Sequence, residues 1–159
     1  MTELTHLDAS GAARMVDVSC KDTSVRTAVA SGRVLVSAEV VALLRSGAVP
    51  KGDALAVARI AGIMAAKRVP DLIPLCHPIA LHGVDIALIV EDSSVAIEAT
   101  CRTADRTGVE MEAITAVAVA GLALIDMVKA VDPAATITDV CVLSKTGGKA
   151  GDWRRPEST

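Results

Sequence analysis

The order of elements in this 159-residue sequence predicts an α+β fold of the ferredoxin-like β-α-β-β-α-β type, a four-stranded antiparallel sheet with helices on one face. Three observations predict it. Val84, Ile86, Leu88 and Val90 alternate, as do Val95, Ile97, Ala99 and Cys101, on either side of Glu91-Asp92-Ser93-Ser94; that is the pattern of an antiparallel hairpin. A long run after Thr107 is apolar on nearly every side, which marks a helix buried all round or shared between subunits. Between positions 37 and 67, capping and stop residues bracket two stretches of helical spacing.

In chain order, residues 1–24 are polar with mixed charge and read as an irregular arm. Thr27 to Val36 is small and β-branched and reads as the first strand, with Gly32 at a bulge. Ser37 suits a helix N-cap, Val40, Val41, Leu43 and Leu44 follow at helical spacing, and Gly47 stands where the helix stops. Asp53 caps a second helix, 54–67, closed by Lys67 and Arg68, whose cations suit the negative end of the helix dipole. Pro70, Pro74 and Pro78 each remove an N–H and restrain the preceding residue, so 71–78 reads as rigid and irregular. Thr107-Gly108-Val109-Glu110 has the T-x-x-E spacing of a capping box; it opens a helix that runs to Val131 before Pro133. Thr136 to Leu143 is the last strand, and 144–159 reads as a mobile glycine- and lysine-rich loop and tail. No linker or repeat interrupts this order, so one domain, 1–159, is expected.

Composition narrows the function. Trp153 is the only aromatic residue, which leaves no stacking platform for single-stranded nucleic acid. A net charge of −3 argues against a generic duplex binder, so no nucleic-acid partner is expected. The apolar run from Ala113 to Ile125 is too short to span a bilayer, and Met1 to His6 has no signal-peptide pattern. No membrane association and a cytoplasmic location are therefore expected. Cys20, Cys76, Cys101 and Cys141 lack the paired spacing of a disulfide framework or a zinc site, so no metal is expected. The second face of the sheet, rich in Ala and Val, predicts cover by another subunit.

Candidate chemistry lies at a few charged positions. Asp126 interrupts an apolar helix and Lys129 follows three residues later on the same face. That spacing fits a surface ion pair, or a proton-transfer pair whose carboxyl is raised by partial desolvation and lowered by the ammonium. Glu110 reads as the capping partner. Glu112 shares a face with Asp126 but lies about 21 Å away along the helix, too far to act on the same atom within one chain. His77 sits between Cys76 and Pro78, either structural or held for a ligand. Lys145-Thr-Gly-Gly-Lys149 is not a Walker A motif, yet its glycine N–H groups and two ammoniums fit an anion-closing flap as well as a solvated tail. Lys51, before a helix N-terminus, with Arg26, Lys67 and Arg68, extends the basic set.

Taken together, Lys51-Gly-Asp53, Ala58 to Ile63, Ala65 to Arg68, Asp71-Leu-Ile-Pro-Leu-Cys-His-Pro78, Thr107 to Glu112, Asp126 to Ala130 and Lys145 to Lys149 resemble the cyclic pyranopterin monophosphate synthase family, the accessory protein C of molybdenum cofactor biosynthesis. The likeness runs from Leu4 to Asp152; Val69, Arg106, Thr146 and Ala150 depart from the pattern without removing an ionisable group. The resemblance implies a lyase that turns 3′,8-cyclo-7,8-dihydro-GTP into cyclic pyranopterin monophosphate and pyrophosphate. It implies a homohexamer, a trimer of dimers, with active sites at a dimer interface. It implies Asp126, Lys129 and Lys51 as catalytic residues. Leu75, Cys76, His77, Met111, Glu112 and Lys145 match substrate-binding positions, and Arg26, Lys67, Arg68 and Lys149 are further candidates for the triphosphate. No cofactor is required, although the triphosphate can carry Mg²⁺ with it. Two other readings use the same residues: a nucleotide-binding regulatory module, which would not need Asp126, and a metal-dependent enzyme acting on GTP or a pterin.

Overall fold

The computed structural model describes residues 6–156. After the arm comes β1 (Ser24–Leu35), then three helices, α1 (Ala38–Ser46), α2 (Ala54–Ala66) and the short α3 (Val69–Leu72). The hairpin strands β2 (Leu81–Val90) and β3 (Ser94–Asp105) follow, then α4 (Glu110–Val128), β4 (Thr136–Thr146) and β5 (Trp153–Arg154). The strands form one antiparallel sheet in the order β2-β3-β1-β4-β5. Its first four strands have the ferredoxin-like arrangement, and β5 adds a fifth at the β4 edge. Residues 1–5 of the expected arm and 157–159 of the expected tail lie outside the described residues.

The hairpin pairs in the register that the alternation implies: Val84 faces Cys101, Ile86 faces Ala99, Leu88 faces Ile97 and Val90 faces Val95. With Ala28, Ala30 and Val34 of β1, these residues form the core face beneath α4. The bulge expected at Gly32 lies opposite it, on β4, where Asp139 adopts φ 56°. Gly32 itself answers to packing: a Cβ there would come within 2.7 Å of Val117 Cγ1. Both anticipated helix caps form. The Ser37 hydroxyl accepts from the Val40 N–H at 3.4 Å and the Asp53 carboxylate accepts from the Ala56 N–H at 2.9 Å. Gly47 closes α1 in the left-handed region, at φ 69°.

Small residues let α2 and α4 meet closely. A Cβ on Gly62 would lie 2.8 Å from the Ala116 carbonyl oxygen and 3.2 Å from the Ala120 Cβ. The two helices run antiparallel, since Lys51, just before α2, reaches Asp126 near the end of α4. At 19 residues α4 is long and apolar enough to cross a membrane, beyond the shorter run read from the sequence. One broad apolar face is packed against the sheet and α2, with Ala113, Ala116, Val117, Ala120 and Leu124 fully buried, while Leu122 stays exposed.

Four sequence expectations are corrected. Thr107 to Glu110 forms no capping box: α4 starts at Glu110 after Val109, which is buried, and no side chain caps the helix. Glu110 is drawn instead to Lys145, 3.1 Å away, where an opposite charge offers more than an exposed cap. The helix also ends at Val128, before Pro133, because the N–H groups of Val131 and Asp132 both turn back to the Val128 carbonyl. Residues 69–72 form a helical turn with Pro70 in its first turn, where a missing N–H costs nothing. Finally, β4 runs through Ser144, Lys145 and Thr146, and Trp153-Arg154 returns to pair with Ser144 and Lys145. Pairing with β1 at Thr27, Ala28 and Val29 extends the strand past the point where its apolar residues stop.

Candidate active site

Two charged clusters stand at opposite ends of α4. At the carboxyl end, a turn with Gly52 at φ 101° aims Lys51 at the helix. Lys51 Nζ donates to Asp126 Oδ2 at 3.1 Å and to the Asp126 backbone carbonyl at 2.7 Å. Lys129, one turn on, places Nζ 2.7 Å from Asp126 Oδ1. The second Lys51 bond satisfies a carbonyl in the last turn of the helix, where a cation also suits the dipole. Asp126 is thus held between two ammoniums with its side chain 58% exposed. Partial desolvation, one of the two effects expected from the sequence, does not prevail. The hydrogen bond from Lys129, then that from Lys51, then their charges, hold the carboxyl below its ordinary 3.8.

The amino end of α4 has the opposite character. Glu112 is 3% exposed. Burial pushes its carboxyl up to about 7; a hydrogen bond from its own backbone opposes this and the charge of Glu110 adds to it. Glu112 opens onto a cleft of about 360 Å³ whose walls include Leu75, Cys76, His77, Thr107, Gly108, Glu110 and Met111. Burial and then the Glu112 charge raise the Cys76 thiol, which disfavours its thiolate. His77 Nε2–H donates to the Val16 carbonyl at 2.6 Å, which fixes the ring and ties the arm to the cleft.

Lys145 belongs to this end. It shares a narrow recess with Arg26, Thr27, Gly108, Glu110 and Gly147. Arg26 Nε–H donates to the Asp105 carbonyl at 3.1 Å, and its guanidinium lies where a Cβ on Gly148 would fall. Lys67 is the C-cap of α2 and Arg68 follows it, so both lie toward this end of the helix pair. Arg68 pairs loosely with Asp71 at 3.8 Å, and neither cation lines the cleft. Lys149 is exposed in the turn after β4. The structure therefore gathers Leu75, Cys76, His77, Met111, Glu112, Lys145 and Arg26 at one end and Lys51, Asp126 and Lys129 at the other. Although Glu112 and Asp126 share a face by helical rotation, one is buried and the other exposed.

The sequence reading gave no site role to seven residues of the cleft wall: His6, Val16, Val18 and Lys21 in the arm, and Thr107, Gly108 and Glu110, which read as a capping box. Val16 and Val18 flank Asp17 in an otherwise polar arm, a faint alternation; nothing local marks Lys21. Among the described residues, no group of three or more His, Cys, Asp or Glu side chains is placed to hold a metal ion.

The family model described as the MoaC family matches residues 15–148. The chain belongs to this family. The match takes in both ends of α4, the arm from Val16 to Lys21 and the strand bearing Lys145. A Nocardioides protein named cyclic pyranopterin monophosphate synthase is 68% identical over 156 residues, 96% of each chain. A Streptomyces coelicolor protein of the same name is 69% identical over 152 residues, 96% of this chain and 89% of its own. A Mycobacterium tuberculosis protein named cyclic pyranopterin monophosphate synthase 2 is 61% identical over 153 residues, 96% of this chain and 92% of its own.

Proposed function

We propose that this chain is a cyclic pyranopterin monophosphate synthase, a lyase of molybdenum cofactor biosynthesis. It converts 3′,8-cyclo-7,8-dihydro-GTP to cyclic pyranopterin monophosphate and releases pyrophosphate. The observation that carries the reading is Asp126 held between Lys51 and Lys129, in a chain 68% identical to a protein of that name. Asp126 stays ionised and accepts a proton, while the flanking ammoniums deliver one and stabilise negative charge as it develops. Lys145, with Arg26, Lys67, Arg68 and Lys149, neutralises the triphosphate and the departing pyrophosphate. Leu75, Cys76, His77, Met111 and Glu112 hold the ring system in the cleft. No cofactor is needed, and any Mg²⁺ arrives with the triphosphate. The enzyme acts in the cytoplasm, with neither nucleic acid nor membrane as partner.

The working unit of this reading is a homohexamer, a trimer of dimers, with each site built by two chains. The separation of the clusters supports it: about 21 Å of helix keeps Glu112 and Asp126 of one chain off a common atom. Val57, Ile60 and Met64 on α2 and Leu122 on α4 are exposed between the two ends. A two-fold axis across that apolar stripe lays the Asp126 end of one chain against the Glu112 end of its partner.

The direct test supplies purified protein with the cyclised nucleotide, generated in situ by the preceding enzyme, and follows pyrophosphate and the oxidisable pterin together. Equal appearance of both is expected. Binding without turnover would favour a regulatory module instead.

A further inference from the structure

Glu110 is not accounted for by the functions assigned so far. It is the first residue of α4, it caps nothing, and its carboxylate lies in the same recess as two cations. Lys145 Nζ is 3.1 Å from Glu110 Oε1, with the two side chains only 29% and 32% exposed. Arg26 lines the same recess. On the other side, a Cβ on Gly108 would collide with the Glu110 carboxylate, so the backbone there has no side chain and leaves the acid its place. The loop beyond Lys145 is equally tight, because Cβ atoms on Gly147 and Gly148 would strike the Val25 carbonyl and the Arg26 guanidinium. The protein thus places its own anion on the lysine that the proposed reaction assigns to phosphate.

We infer that Glu110 is a positioning residue that holds Lys145 in the empty site and exchanges it for a phosphate of the substrate, then reclaims it as pyrophosphate leaves. The inference rests on the synthase reading, which makes Lys145 a phosphate ligand. Physically it is a competition between two anions for one ammonium. The carboxylate keeps the long lysine side chain ordered and its charge paired while the site is empty. A phosphate group, with more charge and more acceptor oxygens, displaces it. As the departing pyrophosphate loses its covalent tether, the carboxylate competes for Lys145 again and shortens product residence.

The test uses the full-length protein in its native assembly, with inorganic pyrophosphate as the probe in titration calorimetry. Glu110→Gln keeps the shape and removes the competing charge, and it is expected to bind pyrophosphate roughly three- to tenfold more tightly. In a Lys145→Met background the same substitution is expected to change affinity by less than about twofold, which separates competition for this lysine from a general loss of repulsion. Glu110→Asp, with its carboxylate drawn back by one methylene, falls between the two. In turnover, Glu110→Gln lowers kcat and KM together, because release slows while binding tightens. Unchanged or weaker pyrophosphate binding in Glu110→Gln, no measurable pyrophosphate binding in any variant, or a tightening that persists without Lys145 would overturn the inference. If the parent protein turns over the cyclised nucleotide in those cases, the synthase reading stands and only the role of Glu110 fails. Absence of turnover by the parent protein strikes the synthase reading instead.

Discussion

The two ends of α4 carry the same functional group in opposite states. At the carboxyl end Asp126 is exposed and held below its ordinary range by two lysines. At the amino end Glu112 is buried and pushed up to about 7. One helix therefore presents a carboxylate that stays ionised and a carboxyl that is poised near neutrality. Hydrogen bonds from two lysines, and then their charge, decide the first; loss of water decides the second. The helix that carries both groups also holds them about 21 Å apart, and that separation is what motivates the proposal of a site shared between two chains.

The largest expected effect comes from removing the ionised partner. Asp126→Asn is expected to lower turnover of the cyclised nucleotide by about 10²–10⁴-fold, while the thermal unfolding curve stays near that of the parent. Its surroundings are exposed, so little packing is lost. Near-normal turnover would break the assignment of the carboxyl end as the proton-transfer centre.

The next effect tests whether the two ends meet across chains. Asp126→Asn and Glu112→Gln, each expected to lose turnover alone, are unfolded, mixed in equal amounts and refolded together. Random pairing makes half of the dimers mixed, each with one intact site, so about a quarter of the parent activity should return. No recovery would mean that each site is built within a single chain.

A third test sharpens the amino end. Between the ordinary Glu value of 4.5 and the folded value of about 7, the unfolded chain releases a proton that the native protein keeps. Native stability therefore falls as pH rises through that window, by on the order of 1–3 kcal/mol. Glu112→Gln should flatten the slope, as read from urea midpoints at pH 5 and pH 8. An unchanged slope would show that Glu112 is not the group that titrates.

The smallest effect is a local one. Lys51→Gln leaves Lys129 as the only ammonium on Asp126, so the Asp126 carboxyl should titrate closer to its ordinary 3.8, followed by carbon-detected NMR. Glu112, at the far end, should not move. A shift at both ends would mean that they are electrostatically connected.

How far the site can be read before folding varies with how local its cause is. Asp126 and Lys129 are three residues apart on one helix, so their pairing follows from helical spacing alone. Lys51 joins them only because α2 lies antiparallel to α4, which depends on Gly62 fitting against Ala116 and Ala120. The same contrast separates the correct caps from the wrong one. Ser37 and Asp53 bond to N–H groups three residues on, a contact that the chain makes with itself. Thr107 and Glu110 have suitable spacing, but Lys145, from a distant strand, takes the glutamate.

By itself the sequence determines the register of the β2–β3 hairpin and the caps and stops of the first two helices. These follow from side-chain periodicity and from bonds between near neighbours. Only the tertiary structure decides that Lys145 lies in a strand rather than a loop, that Val16 and Lys21 border the cleft, and that Glu112 is dry while Asp126 is wet. Pairing partners and access to water are properties of what stands beside a residue in space, and local spacing does not specify that.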